Sequence, residues 1–363
     1  MTAPAPTGTP LRIGFLGAGL IATYHSKMLR HSSAAFERVA VYDPDHARAV
    51  RFGEAAGCDV VGSETAVLDR SDAVYVCTWT SEHARLVAAA AERGLHVFCE
   101  KPLAGDLATA ESMLSAVRDA GITHQVGLVL RRSPAFVVMR ELVRDPAAGR
   151  VMAVVFRDDQ YIPLQGHYDS TWRADRALAG SGTLLEHSIH DVDLLATIVG
   201  GITEVNAHER NLHGHDGIED TVAATVCFAD GALGTLTSVW HDNLARPSLR
   251  RVEVFCERRH VVMEGHDWTG PVSWTDTDGA TTVLEGEGLE LEASVVLSDD
   301  IGPTVGVAGL TTNPDHDFVV AAASGAPAWP DLSVAVDAHR VVDAMYRSAR
   351  SGGATTPVPR PAG

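Results

Sequence analysis

The segment 180–193, GSGTLLEHSIHDVD, contains side chains that could move a proton. Glu186 and His190 are four residues apart and Asp193 follows one turn later, so a continuous helix would place them on one face. His187 and Asp191 form a second pair with the same spacing, rotated by about 100° around the helix. A histidine can accept a hydroxyl proton near neutral pH, and a neighbouring carboxylate holds its tautomer and stabilises the imidazolium. The segment therefore predicts a site for general acid–base chemistry.

A lysine stands at the end of an apolar run that is predicted to be a buried strand. Glu100, Lys101 and Pro102 follow residues 95–99 directly, at the carboxyl edge of the predicted sheet, where ligands of open α/β folds bind. A lysine ammonium at this place can stabilise a developing alkoxide or polarise a carbonyl. An ion pair with Glu100 at the strand end is the structural alternative for Lys101.

The segment 17–22, GAGLIA, has the residue types of a phosphate-binding turn. Gly17 would make the tight turn, Gly19 would let the backbone approach a pyrophosphate, and Ala22 would keep the following helix close to the sheet. Asp43, at the end of the next predicted strand, can bind ribose hydroxyls and repel a 2′-phosphate, which predicts NAD rather than NADP. Arg48 is the nearby cation that could still admit the phosphate.

These residues need a framework of strands and helices, and the sequence changes its pattern once. Over residues 11–130, apolar runs alternate with Ala-rich amphipathic segments, which predicts a Rossmann domain with a doubly wound parallel sheet. The predicted strands are 11–16, 38–42, 73–78, 95–99 and 123–129, and the predicted helices are 20–30, 45–56, 81–93 and 106–120.

Residues 131–330 predict an α+β domain with a large, mostly antiparallel open sheet. A helix over 182–199 interrupts its strands, and a C-terminal helix is expected over 331–350. Residues 1–10 and 351–363 are rich in Pro, Gly and Thr and are expected to be flexible. The predicted strands are 150–157, 202–210, 221–228, 232–241, 251–257, 260–264 and 272–276.

Composition limits the classes of partner. The 363 residues carry a formal charge of −18, which disfavours nucleic acid and anionic membranes as partners. No uncharged apolar run approaches the roughly 18 residues of a membrane helix, and we predict a cytoplasmic protein. His208, His213 and His215 lie without a matched second pair of ligands, so no metal site is predicted.

Together these motifs resemble the Gfo/Idh/MocA oxidoreductase family, which includes glucose–fructose oxidoreductase and inositol dehydrogenases. The similarity runs over nearly the whole chain. It is carried by residues 17–22, His83, residues 100–102, Gly127, Arg131, Pro134, Trp172, Arg173 and residues 180–193, 218–221 and 313–348. Glu186 stands where many members carry Asp, and Trp79 and Val129 depart from the Pro and Asn that are common in the family.

The resemblance implies bound NAD(H) or NADP(H) and a catalytic set of Lys101, Glu186 and His190. His83 could instead bond across the strand–helix turn, Asp193 could support its helix, and Trp172 and Arg173 could be a core aromatic and a surface cation. The cofactor-binding candidates are Gly17, Gly19, Leu20, Ile21, Ala22, Asp43, Thr78, Trp79, His83, Glu100 and Lys101. The substrate-binding candidates are Lys101, Arg131, Trp172, Arg173, His187, His190, Asp193 and His316.

The resulting hypothesis is a dehydrogenase or reductase that moves a hydride between a nicotinamide and a carbinol or carbonyl carbon of a sugar, inositol or related polyol. The resemblance also implies that residues 131–330 bind the substrate and that their open sheet forms a homodimer or homotetramer. Two alternatives stay open: a glycosidase or lyase that retains NAD and oxidises transiently, and an NAD-binding sensor without turnover.

Overall fold

A computed structural model describes residues 9–166, 168–301 and 313–359. The chain divides into two compact units. The first comprises Met1–Leu128 with Asn313–Val336, and the second comprises Val129–Thr312 with Asp337–Gly363.

The first unit is built on six short strands whose residues are apolar because both faces of their sheet are covered. The strands are β1 (Leu11–Leu16), β2 (Phe36–Tyr42), β3 (Asp59–Val60), β4 (Ala73–Val76), β5 (His96–Cys99) and β6 (His124–Val126). All neighbours are parallel, in the order β3-β2-β1-β4-β5-β6. Two hydrophobic clusters lie on the sheet. The predicted doubly wound parallel sheet is confirmed.

The helices of this unit begin and end at residues with ordinary capping chemistry. They are α1 (Leu20–Leu29), α2 (His46–Ala56), α3 (Glu64–Leu68), α4 (Thr80–Ala91) and α5 (Leu107–Asp119). The side chains of Asp45 and Asp106 accept hydrogen bonds from backbone N–H groups in the first turns of α2 and α5. Gly57, at φ 73°, ends α2 in the left-handed region. The strand β3 and the helix α3 were not predicted, because they are too short to show a periodic pattern.

The second unit contains a nine-stranded sheet. Its strands are β7 (Val151–Tyr161), β8 (Ile202–Arg210), β9 (Thr221–Phe228), β10 (Leu233–His241), β11 (Leu249–Cys256), β12 (Arg259–His266), β13 (Gly270–Asp276), β14 (Thr281–Leu284) and β15 (Thr356–Pro357). The order is β14-β13-β12-β11-β7-β10-β9-β8-β15, and β7 and β10 are its parallel neighbours. Burial alternates along β9 and β10, as in a sheet with one covered face. The mostly antiparallel open sheet is therefore confirmed.

The covered face packs on one large hydrophobic cluster. Its helical contributors include α6 (Pro134–Arg144) and α9 (Ile189–Ile198); the unit also contains the short helices α7 (Arg176–Ala179) and α8 (Thr183–Glu186) and the helix α10 (Gly286–Ile301). Short 3₁₀ turns lie at Val129–Arg132, Pro146–Ala148 and Thr171–Ala174.

The prediction of one continuous helix over 182–199 is wrong. The helix α8 ends at Glu186, and α9 begins at Ile189 after a break at His187 and Ser188. The N–H of Ser188 bonds to the carbonyl of Thr183, a widened i→i−5 turn, and the Ser188 hydroxyl bonds to Ser238 of β10. The spacing of Glu186 and His190 therefore does not by itself place them on one helical face.

The end of the chain differs from expectation in two places. The helix α11 (Pro314–Ser324) belongs to the first unit, where Phe318 is buried and the Asn313 amide donates to the carbonyl of Met28. The helix α12 (Leu332–Arg350) begins in the first unit and continues into the second after Val336. Residues 351–359 are not a free tail, because β15 pairs with β8 and buries Thr356. Residues 1–8 and 360–363 lie outside the described residues.

Candidate active site

The glycine turn of the first unit leaves room for a phosphate. Gly17 has φ 93°, and a Cβ at this position would collide with the carbonyl of Cys77. A Cβ on Gly19 would meet no atom within 4 Å, so the backbone there faces open space. Gly19 also precedes the first turn of α1, where Leu20 and Ile21 are exposed. A short turn with free approach at a helix N-terminus suits a dinucleotide pyrophosphate.

Asp43 holds this turn from the end of β2. Its buried carboxylate accepts the N–H of Ala18 at 2.9 Å through Oδ2 and the N–H of Asp45 at 2.8 Å through Oδ1. The guanidinium of Arg48 lies 3.4 Å from Oδ1, but its side chain is 44% exposed. Each carboxylate oxygen has two acceptor positions, so Asp43 can anchor the turn and still accept a ribose hydroxyl.

His83 connects two backbone segments at the carboxyl edge of the sheet. Its Nδ1 lies 2.9 Å from the Pro102 carbonyl and its Nε2 lies 3.3 Å from the Thr78 carbonyl. This is the bond across the strand–helix turn that was the structural alternative for His83. Trp79 precedes α4 and is 37% exposed, so its ring is accessible in this unit.

Glu100 and Lys101 follow β5 above a buried histidine that the sequence analysis did not single out. His25 Nε2 lies 2.9 Å from Glu100 Oε1, and His25 Nδ1 lies 2.8 Å from Asp315 Oδ1. Burial alone lowers the pKa of His25, but Asp315 and Glu100 outweigh it and raise the pKa to about 10. Burial raises the pKa of Glu100, yet the hydrogen bond from His25 and the charges of His25 and Lys101 hold it below its usual value.

Glu186 is buried in the second unit and is paired with a cation. The Nε of Arg173 lies 3.3 Å from Glu186 Oε2, and the guanidinium carbon of Arg173 lies 4.4 Å from the centre of the Trp172 ring. The two residues with open roles, Trp172 and Arg173, are therefore connected to the predicted catalytic carboxylate. An aromatic face under a guanidinium stabilises its charge and fixes its orientation.

His190 is buried in the first turn of α9 and precedes Asp191, which belongs to a network centred on Arg250. Arg250 donates to Asp191 Oδ1 at 2.8 Å and to Asp158 Oδ2 at 3.0 Å, and it also bonds to Asp267. His187 Nε2 lies 2.7 Å from Asp158 Oδ2. Burial, followed by the charge of Asp158, raises the pKa of Asp191 to about 6.

Two further substrate candidates lie together. Arg131 donates to both carboxylate oxygens of Asp193 at distances of 2.6 to 2.9 Å, and Asp193 is buried. This bidentate pair joins the turn before α6 to the middle of α9, which favours the role of helix support for Asp193.

His316, in the first unit, lies with Nδ1 2.9 Å from the hydroxyl of Ser32.

Glu219 was outside the predicted site set, but it shapes the segment that carries Glu186. Its carboxylate accepts from the N–H groups of Gly182 and Leu184 at 2.8 and 3.0 Å, and from the hydroxyls of Ser181 and Tyr346 at 2.8 Å each. A Cβ on Gly182 would collide with the backbone of Glu219. The glycine explains the close approach, and the carboxylate satisfies the donors that precede and open α8.

Lys101, His316 and the dinucleotide-binding candidates thus lie in the first unit, whereas Arg131, Trp172, Arg173, Glu186, His187, His190 and Asp193 lie in the second. None of the helices in the described ranges has the length and apolar character needed to span a bilayer.

Comparison with known proteins matches both units. A family profile described as "Oxidoreductase family, NAD-binding Rossmann fold" matches residues 11–128, and one described as "GFO/IDH/MocA C-terminal domain" matches residues 136–262. The chain is 32% identical over 221 residues to a 1,5-anhydro-D-fructose reductase of Ensifer adhaerens, covering 59% of this chain and 62% of the reductase. It is 31% identical over 264 residues to a myo-inositol 2-dehydrogenase of Thermotoga maritima, covering 69% of this chain and 74% of the dehydrogenase.

The chain thus spans less than two thirds of the length of the anhydrofructose reductase that it matches. A solved structure of a levoglucosan dehydrogenase in complex with NADH has the same fold. Its TM-score is 0.83 at 22% identity, with 97% of this chain and 100% of that chain covered.

Proposed function

Because the chain belongs to the Gfo/Idh/MocA oxidoreductase family, we propose that it oxidises a secondary alcohol of a sugar, inositol or related polyol, or reduces the corresponding carbonyl, with a nicotinamide cofactor. One observation carries the proposal. Lys101 follows β5 in the parallel sheet whose β1 ends at the open glycine turn, so the lysine and the dinucleotide turn share the carboxyl edge of one sheet.

In this proposal, His190 takes the hydroxyl proton of the substrate and returns it in the reverse direction. Lys101 donates to the carbinol oxygen and stabilises the negative charge that develops there. Glu186 stabilises the histidine as it becomes imidazolium, and Arg173 holds this carboxylate in place. NAD, when bound, supplies the acceptor for the hydride.

Lys101→Ala and His190→Ala test the assignment. Each is expected to lower kcat by about 10²-fold or more while cofactor affinity, read by calorimetry, persists. Exposed residues of the same types, replaced in Lys27→Ala and His208→Ala, are the matched controls and should retain turnover. Near-native turnover of Lys101→Ala or His190→Ala on the true substrate would remove that residue from the mechanism.

A panel of inositols, aldoses, anhydrosugars and keto-sugars, tested with both cofactors for oxidation and for reduction, would identify the substrate. Stoichiometric formation of NADH from an alcohol supports a dehydrogenase. Cleavage of a glycoside without net NADH would instead support the glycosidase or lyase that retains its NAD, and binding without turnover would support the sensor.

NAD is proposed over NADP. The buried carboxylate of Asp43 supports this, because a 2′-phosphate beside it would meet like charge. The partner cation Arg48 is largely solvated and already shared with Asp43 and Asp45.

A homodimer or homotetramer through the sheet of the second unit is also proposed. Leu233 and Phe255 both lie beside Ala153 in register, on the face opposite the core, and are 59% and 38% exposed. Val155, two residues along β7 on the same face, is 43% exposed. An apolar sheet face of this kind suits a second copy of the chain. Light scattering of the purified chain measures the assembly.

A cytoplasmic location stays a prediction, which the five unpaired cysteines support.

A further inference from the structure

We propose that His25 and Asp315 are positioning residues for Lys101: the hydrogen-bonded chain Asp315–His25–Glu100 fixes the Glu100 carboxylate and thereby the charge beside the lysine. The inference rests on the proposed role of Lys101 in the reaction. It extends that role to two residues that lie outside the predicted site.

The geometry leaves His25 one way to bond. Its ring is fully buried, with one nitrogen 2.8 Å from Asp315 Oδ1 and the other 2.9 Å from Glu100 Oε1. Both partners are carboxylates, and a neutral imidazole has a single N–H. The doubly protonated ring satisfies both. The rings of Tyr75 and Phe98, with centroids 5.6 and 4.7 Å away, pack against it and restrict its rotation.

The chain of bonds continues to Lys101. While Glu100 Oε1 faces His25, Glu100 Oε2 accepts the backbone N–H of Lys101 at 3.1 Å. A Cβ on Gly127 would collide with this carboxylate, so the glycine provides the space that Glu100 occupies. Glu100 is thus held at both oxygens, and the backbone of Lys101 is held by Glu100.

The charges of Asp315, His25 and Glu100 sum to zero only if Lys101 is included. One imidazolium and two carboxylates leave one negative charge. The hydrogen bond and the charge of His25, followed by the charge of Lys101, lower the pKa of Glu100 against the effect of burial, so Lys101 is a second cation close to this carboxylate. Among the described residues, Tyr24, Tyr75, Cys77 and Cys99 also interact with these carboxylates. Burial raises the pKa of each phenol and thiol, which keeps them neutral.

Fold stability alone does not account for this arrangement. Replacing a buried ion network by apolar residues of similar volume is often neutral or stabilising, because desolvation of the ions is costly. His25, Glu100 and Asp315 are far apart in sequence, yet they converge where the lysine leaves the sheet. We infer that the buried groups serve to fix a charge beside Lys101.

The chain contains two lysines, Lys27 and Lys101, which makes the test selective. In a Lys27→Arg background, reductive methylation with ¹³C-formaldehyde labels Lys101 and the chain N-terminus, and NMR follows the titration of Lys101 in the full chain. His25→Gln removes the cation from the hydrogen-bonded row Asp315–His25–Glu100. It should therefore raise the titration midpoint of Lys101 by about half a pH unit or more. Glu100→Gln removes the adjacent anion and should lower it.

Loosened packing would move both midpoints in the same direction, so opposite shifts report the charges. Asp317→Asn, on the same first turn of α11, is the matched control and should leave the midpoint unchanged. Midpoints that stay within about 0.2 units in both variants, or that shift in the same direction, would overturn the proposal. If His25→Gln does not fold, Asp315→Asn replaces it. That variant keeps the size of the side chain and should lower kcat about 10-fold while the NAD Kd changes less than about 3-fold.

Asp315→Glu, which restores the carboxylate, should recover part of the loss in kcat. Equal activity of Asp315→Asn and the unmodified chain would also overturn the inference. The outcomes separate the two proposals. Opposite midpoint shifts together with an active Lys101→Ala would refute the catalytic role of Lys101 and leave the coupling. Unchanged midpoints together with an inactive Lys101→Ala would refute the coupling and leave the catalytic role of Lys101.

Discussion

Arg250→Met is the substitution whose cost the structure of the second unit defines most sharply. The Arg250 side chain is 8% exposed and lies among three carboxylates, those of Asp158, Asp191 and Asp267, which are 2%, 0% and 21% exposed. Methionine fills a similar volume but carries no charge. The variant therefore leaves these carboxylates with no guanidinium at their centre, next to the turn of α9 that carries His190.

Removing one partner of a buried ion pair typically costs about 3–5 kcal/mol. We expect this range for Arg250→Met at pH 7.5. Arg251 is the matched control, because it is the next residue on β11 and pairs with Glu253 and Glu264 at 39% exposure. Pairs of this exposure contribute about 1 kcal/mol or less, so Arg251→Met should change the free energy of unfolding little.

The loss of unfolding free energy in Arg250→Met should be smaller at low pH than at high pH. The folded-state pKa of Asp191 is raised to about 6 from 3.8, so its ionisation destabilises the fold above about pH 6, and this penalty is relieved as the pH falls towards 4. Arg250 is one of the groups that hold this pKa down. Without Arg250 the penalty is larger, so the gap between Arg250→Met and the unmodified chain should narrow between pH 8 and pH 5.

Urea denaturation followed by tryptophan fluorescence measures the effect, since Trp172, Trp240, Trp268 and Trp274 all lie in the second unit. A loss of less than about 1 kcal/mol in the free energy of unfolding of Arg250→Met at pH 7.5, or an equal loss at pH 5 and pH 8, would refute the central role of Arg250. A loss in Arg251→Met as large as that in Arg250→Met would also refute it, because burial would then not be the cause.

Two more substitutions test the dinucleotide turn of the first unit and the Arg173–Glu186 pair of the second. Asp43→Asn should lower kcat/KM with NAD and narrow the NAD preference by up to about 100-fold, whereas Arg48→Ala should change the ratio little; a native enzyme that prefers NADP would contradict this. Arg173→Ala should lower kcat by about 10-fold and shift the acidic limb of the pH–rate profile, because the buried Glu186 carboxylate loses the partly buried guanidinium with which it pairs. An unchanged profile would show that Arg173 does not act through Glu186.

Much of the fold was predictable because its signals are local. The strands β1, β8 and β9 begin and end at the predicted residues, since alternation or an apolar run between turn residues marks them. The sequence did not reveal that Asn313–Val336 returns to the first unit, because this depends on packing such as that of Phe318 in the core beneath β1. It also did not reveal β15, because pairing of two residues with an edge strand leaves no periodic signal.

The break between Glu186 and His190 shows a different limit of sequence reasoning. The residues 182–199 have helical spacing throughout, but Ser188 bonds to Ser238, a hydroxyl on β10 some fifty residues later. Tertiary hydrogen bonds of this kind override a helical pattern, because a buried hydroxyl must find a partner. The roles of Glu219, His25 and Asp315 were not predicted for the same reason: each of them bonds to partners that are distant in sequence.

The length of the side chain at position 186 matters for its contact with Arg173, which in turn contacts Trp172. The side chain of Glu186 is longer than that of an aspartate, and its carboxylate lies 3.3 Å from the Nε of Arg173. Arg173 is in turn placed by the Trp172 ring, 4.4 Å below its guanidinium. Since Glu186 is buried, its charge needs a partner, and Arg173 supplies one on the side of the short turn Thr171–Ala174. The longer side chain and the Trp–Arg pair therefore form one unit, and a change to Asp at 186 alone would separate the carboxylate from its cation.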